Sequence, residues 1–106
     1  MRALSTAKIA DVTAVGADVE FDIETRWAHT REVHAEWTET TVVATAALQV
    51  SFDNVIWTDV ETPTAISGAT SKSWTVDRYV PYMRVELDWT SGAVTTFKAY
   101  AVSLPY

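Results

Sequence analysis

The residue types best suited to chemistry fall in one short stretch, where His29, Glu32, His34 and Glu36 follow one another closely. On a strand Glu32, His34 and Glu36 share one face at a spacing of roughly 6.6 Å. Imidazole nitrogens and carboxylate oxygens at that spacing are ligands for a divalent ion. Side chains along one strand diverge, however, and a closed tetrahedral site needs ligands converging from a second strand. The stretch therefore reads as a solvated strand face. Other reactive arrangements are missing. The three glycines, Gly16, Gly68 and Gly92, are isolated, and neither a G-x-S-x-G elbow nor an H-E-x-x-H pair occurs. Without cysteine there is no thiolate metal site and no disulfide framework. Acids are plentiful, but nothing singles out two of them as a glycosidase pair. The expectation is a protein without catalytic residues, metal or cofactor.

Two other groups of residues suggest binding. Asp18, Glu20, Asp22 and Glu24 form an acidic stripe. The plain account is a solubilising, edge-protecting strand face. The sharper one is a docking surface for a basic partner, whose binding would weaken with salt because exposed charges are screened within about 10 Å at 0.1 M. Five tryptophans are many for 106 residues, and aromatic platforms hold sugar rings. Trp27, Trp37 and Trp89 are in phase with the apolar faces of their strands and read as core. That leaves Trp57 and Trp74 as candidates for sugar stacking, with Trp74 at the rim of a loop.

The elements that must position these residues are strands. Thr and Val alone supply 30 of 106 residues, and β-branched side chains suit a pleated surface. Val19, Phe21, Ile23, Thr25 and Trp27 alternate with Glu20, Asp22, Glu24 and Arg26; Val33, Ala35 and Trp37 with Glu32, His34 and Glu36; Met83, Val85, Leu87 and Trp89 with Tyr82, Arg84, Glu86 and Asp88. A long strand over 42–52 points Val42, Ala44, Ala46, Leu48, Val50 and Phe52 inward. Its other face, with Val43, Thr45, Ala47 and Gln49, is weakly polar, as on a strand covered by another subunit. Asp53 and Asn54 make a turn, and Ile56 to Val60 returns as a hairpin partner. Residues 61–73 read as a loop, Ser73 to Asp77 as a short strand, and Val94 to Leu104 as a last strand whose core face does not sort. Residues 1–15 form an arm or edge strand, and 16–106 one domain. Seven to eight strands without a helix give an all-β antiparallel sandwich or jelly roll. Its expected core is Phe21, Ile23, Trp27, Val33, Trp37, Leu48, Val50, Phe52, Trp57, Val85, Leu87 and Trp89.

Charge and hydropathy narrow the partners. Eight basic against 14 acidic side chains give a net charge of −6, the wrong sign for tracking phosphates, so no nucleic acid is expected. No apolar run reaches the roughly 18 residues of a membrane span. The stretch between Arg2 and Lys8 is too short and polar for a secretion signal. A soluble protein made in the cytoplasm is the expectation.

The segment from Leu48 to Val60, LQVSFDNVIWTDV, followed later by Tyr79-Val80-Pro81-Tyr82-Met83-Arg84-Val85, resembles small β-sandwich virion proteins of tailed bacteriophages, of the capsid cement, decoration or head-fibre kind. The shared pattern is a strand ending in Ser-x-Asp, a tight turn, a return strand with Trp, and an aromatic strand leading into Arg-Val. Asn54 stands where glycine is more usual, and Asn also accepts positive φ. The resemblance implies a non-enzymatic virion protein, a trimer by preference, seated on the capsid surface and bound to the major capsid protein. The outer face of the 42–52 strand and the last strand would then serve self-contact, and the arm and the 61–73 loop would meet the shell. Glu20, Asp22 and Glu24 complete the candidate interface. A carbohydrate-binding sandwich, on a tail or fibre for example, is the alternative.

Overall fold

In the computed structural model, residues 5–23, 29–39, 41–76 and 80–104 are described, with side chains from 8–23, 32–39, 41–76 and 80–102. Among the described residues nine strands run in the order β1 (Ser5–Val12), β2 (Val19–Ile23), β3 (His29–Trp37), β4 (Val43–Ser51), β5 (Thr58–Asp59), β6 (Thr64–Ala65), β7 (Ser71–Thr75), β8 (Tyr82–Ser91) and β9 (Phe97–Leu104). A 3-10 turn, Ile66–Gly68, precedes β7. The strands form two antiparallel sheets, ordered β1-β9-β3-β7 and β2-β8-β4-β5, with β6 also against β4. The pairs β1·β9, β2·β8, β3·β7 and β4·β5/β6 nest inside one another along the chain. The chain is therefore one long two-stranded ribbon wound into a double-layered jelly roll, and the β4–β5 connection is the tip of that ribbon.

The core lies between the sheets. One inner face carries Val33, Ala35, Trp37, Trp74, Phe97, Ala99 and Ala101, and the other carries Ile23, Ala44, Ala46, Leu48, Val50, Met83, Val85 and Leu87, all buried. Phe97 stacks on Trp37 within its sheet, centroids 6.0 Å apart, and on Phe21 from the opposite sheet at 5.8 Å. The last strand thus sorts with Phe97, Ala99 and Ala101 inward. Val94, expected inside it, instead makes an isolated bridge to Val15. Residues 5–12 form an edge strand on β9, with a bulge between Lys8 and Ala10 that breaks the alternation there.

Several boundaries move. The 61–73 loop contains β6, the 3-10 turn and the start of β7, because Ile66 is fully buried and anchors the segment. The indole N–H of Trp37 caps this turn, donating to the Ala69 carbonyl at 2.5 Å and the Ile66 carbonyl at 3.2 Å. The short strand expected over 73–77 spans 71–75. Among the expected core residues, Phe21, Trp57 and Trp89 are half-buried, and Phe52 is exposed. Thr25, Trp27 and Asp77 lie outside the described residues.

Candidate functional site

The most distinctive surface is the ribbon tip. The alternation that would point Phe52 inward holds as far as Val50, but β4 ends at Ser51 and Phe52 is 70% exposed. Val55 and Ile56 follow at 76% and 71%. The return strand expected over 56–60 shrinks to Thr58–Asp59, so the hairpin turn widens to residues 52–57.

Side chains hold this wide turn in place. The Ser51 hydroxyl accepts from the Asn54 N–H at 2.9 Å and the Asp53 N–H at 3.3 Å, and donates to Asp53 Oδ1 at 3.1 Å. Asp53 Oδ1 in turn accepts from the N–H groups of Val55 and Ile56, both at 2.9 Å. This is Asx-turn chemistry, in which a side-chain acceptor replaces a backbone ladder. The N–H of Ile56, then that of Val55, stabilises the carboxylate and holds its pKa below the ordinary aspartate value. Asn54 takes φ 61°, as its residue type permits. Three large apolar side chains are thus held out in water on a fixed frame, the kind of exposed patch that marks an interaction site.

The adjacent outer face of the five-stranded sheet is closed by this chain itself. Arg84 Nε donates to Gln49 Oε1 at 2.8 Å, and Gln49 Nε2 donates to Asp59 Oδ1 at 3.0 Å and to Glu86 Oε1 at 3.4 Å. The Arg84 guanidinium also lies 4.1 Å over the ring centroid of Trp57. Gln49 and Ala47 are consequently 9% and 3% exposed, while Val43 is exposed and Thr45 half-buried. Gln49 is covered by Asp59 of the return segment and by Arg84 and Glu86 of β8, and Ala47 is buried on the same face. Only Val43 and Thr45 are left for another molecule. Burial pushes the Glu86 pKa up, and the carboxylates of Glu20, Asp88 and Asp59 add to this against the opposing charge of Arg84.

Glu20 and Asp22 stand exposed on β2, an edge strand. Glu20 is 3.7 Å from Arg84 Nη1. Asp18, before them, has a local role: its Oδ1 accepts from the Trp89 N–H at 2.7 Å. Glu24 lies outside the described residues. Trp74 is fully buried beside Val33, so it cannot meet a sugar face from solvent. The sequence signal for this is its phase with Val76, opposite Ser73 and Thr75. Trp57 keeps only partial exposure, with Arg84 on its ring.

On the other sheet, His34 Nδ1 is 2.7 Å from Ser73 Oγ, and His34 Nε2 is 3.4 Å from Glu36 Oε2. The order hydroxyl, imidazole, carboxylate is that of a nucleophile relay. His34 and Glu36 stand on the open face of β3, a central strand laddered to β7 and β9, and Ser73 stands beside them on β7, the edge strand of that sheet. Among the described residues no three ligating side chains converge on one point. A polar recess of about 340 Å³ beside this face is lined by Glu36, Thr38, Ser71 and Lys98 with His34.

The fold and its surfaces define a jelly-roll β-sandwich domain. No protein-family model and no curated protein matches the chain. Among solved structures, it is similar to a Yersinia pseudotuberculosis-derived mitogen, with TM-score 0.55 and 9% identity over 97% of this chain and 86% of that one. It is also similar to part of a glycoside hydrolase, with TM-score 0.55 and 8% identity over 79% of this chain. The match spans 19% of the hydrolase. At such identities the likeness concerns the fold.

Proposed function

We propose that this chain is a non-enzymatic structural protein of a phage virion that decorates the capsid shell and docks through the tip of its β4–β5 hairpin. The observation that carries the reading is the exposure of Phe52, Val55 and Ile56 at 70–76% on a turn fixed by Ser51 and Asp53. A rigid apolar projection has lost its ordering entropy before binding, which favours affinity. The acidic edge at Glu20 and Asp22 suits a basic rim on the partner. The sequence resemblance to cement and decoration proteins supplies the virion as the setting. The jelly roll is common to viral capsid domains and lectins, so it favours neither the shell nor a sugar as ligand. Against sugar stacking stand the burial of Trp74 and the Arg84 guanidinium on Trp57.

The test is binding to isolated shells. The wild-type chain should sediment with them at fixed stoichiometry and raise their resistance to heat. Phe52→Ser combined with Ile56→Ser should lower affinity by at least tenfold without changing the protein's own Tm. Shell binding unaffected by these substitutions, or a fluorescence response to oligosaccharides that Trp57→Ala abolishes, would count against the proposal.

A further inference from the structure

The outer face of the four-stranded sheet holds the polar recess of about 340 Å³ beside His34. Strand register builds it. Glu36 on β3 lies opposite Lys98 on β9 and opposite Ser71 on β7, so a row of three residues crosses the face over about 10 Å. The walls are pinned to one another. The Trp37 N–H donates to the Thr70 carbonyl at 2.9 Å, the Thr38 N–H to the Thr96 carbonyl at 3.3 Å, and the Thr96 N–H to Thr38 Oγ1 at 3.2 Å. These bonds hold the recess in shape before any ligand arrives.

Polar groups in this row stand ready for a ligand. Lys98 is half-buried, and its ammonium has no ion-pair or hydrogen-bond partner among the described residues. Asp11, which faces Lys98 in register from β1, is taken by Lys8 at 2.9 Å. His34 Nε2, 3.4 Å from Glu36 Oε2, steadies the Glu36 carboxylate from one side and leaves most of its lone pairs open. The Ser71 hydroxyl is likewise without a partner among the described residues. A pure donor and a pure acceptor thus stand side by side with a hydroxyl next to them, and that combination selects the ligand. The Lys98 ammonium repels a metal cation, and the Glu36 carboxylate repels an anion. An apolar ligand would strip water from both charges without replacing their hydrogen bonds. Adjacent hydroxyl groups on a ring both donate and accept, so one can donate to Glu36 while its neighbour accepts from Lys98. Thr38, Thr70 and Thr96, which also line the recess, carry methyl groups suited to the C–H edges of such a ring.

We infer that this recess binds a neutral sugar unit through its hydroxyl groups. Its volume lies near the lower end of ligand pockets, about 300–1,000 Å³, which suits one sugar unit and not a long chain. Such a site uses no aromatic platform and is independent of Trp57 and Trp74. Its place in the fold keeps it clear of the tip. Trp37 caps the 3-10 turn that follows β6, and β6 pairs with Thr45 and Ala46 near the start of β4. The tip leaves the other end of β4, after Ser51. The nine residues of β4 span about 30 Å, most of the molecule's 42 Å long axis. A copy seated by its tip therefore keeps the recess open to solvent, and sugar binding does not require the tip to be docked.

The test is titration of the whole chain with the methyl glycosides of glucose, galactose and mannose, followed by NMR of the backbone amides. At least one should bind saturably with a millimolar Kd, as expected where a few hydrogen bonds compete with water. It should shift the Ser71 and Lys98 amides and leave those of Val55 and Ile56 in place. Glu36→Gln and Lys98→Met should each weaken this binding by about tenfold, with Tm little changed. Trp57→Ala should leave the affinity as it is, which separates this site from the stacking on Trp57 that would count against the virion reading. Three results would overturn the inference: no saturable shift with any of the three glycosides, shifts centred away from the recess, or an affinity that either Glu36→Gln or Lys98→Met leaves unchanged. None of them bears on shell binding through Phe52 and Ile56, which is measured separately.

Discussion

At the residue scale, the two tryptophans suggested for sugar stacking make opposite predictions. Trp74 is fully buried, and its indole N–H has no hydrogen-bond partner among the described residues, so its contribution is packing. Trp74→Ala should cost about 3–5 kcal/mol, read as a lower urea midpoint. Trp74→Phe should cost clearly less, because it removes an unsatisfied donor along with part of the ring. Trp57→Ala removes a half-buried ring and its cation–π contact with Arg84, so about 0.5–1 kcal/mol is expected. Equal losses for Trp57→Ala and Trp74→Ala would contradict the placement of both. Glu86 makes a prediction about pH. Its folded-state pKa is raised, so the folded protein holds the proton more tightly than the unfolded chain does. Its favourable contribution is present below the ordinary glutamate pKa and fades as pH rises through the raised value. Glu86→Gln keeps an acceptor for Gln49 and removes the charge. It should leave stability near pH 4 unchanged and raise it at pH 7 by no more than about 0.5 kcal/mol. Denaturant titrations at the two pH values check the sign.

At the element scale, strands are legible in the sequence wherever one face meets the core and the other meets charge. The alternations at Val33 to Trp37 and Met83 to Leu87 correspond to buried residues one for one. Periodicity misleads where the backbone stops being a strand while the hydrophobic pattern continues. Phe52 is in phase with Val50, and nothing in that phase reveals that Ser51 and Asp53 gather four N–H bonds that end the ladder. The S-F-D-N string displays the chemistry, but its consequence for Phe52 depends on how far β5 pairs. The apolar tip, the most functionally suggestive feature, is thus hidden among the expected core residues. The Ala47 and Gln49 face is covered, as its weak polarity implies, and the cover belongs to the same chain. The last strand resists sorting because Val94 belongs to a separate bridge, which shifts the apparent phase relative to Phe97. Asp53→Ala should abolish the hydrogen-exchange protection of the Val55 and Ile56 amides, and Asp53→Asn should preserve much of it. Because the folded-state pKa of Asp53 is lowered, protection is present above the ordinary aspartate pKa and is lost as pH falls through the lower folded value. Protection that survives in Asp53→Ala would mean that the tip is not held by this carboxylate.

At the scale of the molecule, nested pairing sets how the chain can fold. β1 pairs with β9 and β2 with β8, so the outer pairs join residues far apart along the chain, such as Val12 with Phe97 and Val19 with Leu87. Closing such loops costs entropy before the contacts are made, and folds dominated by non-local pairs fold in milliseconds to seconds. The order implied by loop length starts at the innermost ribbon, β4 with β5 and β6, and ends when β1 and β9 close the first sheet around Trp37 and Trp74. Two consequences can be separated in stopped-flow refolding followed by tryptophan fluorescence. Val85→Ala, in the β8 strand that bridges β2 and β4, should lower stability and alter the kinetics, because its side chain is fully buried. Phe52→Ser with Ile56→Ser should leave both folding and unfolding rates within about twofold of wild type, because side chains that bury little in the folded chain shift neither limb. A tip variant that unfolds tenfold faster would mean that Phe52 and Ile56 pack against the sandwich in solution, and the tip would then be part of the core instead of an element held ready for a partner.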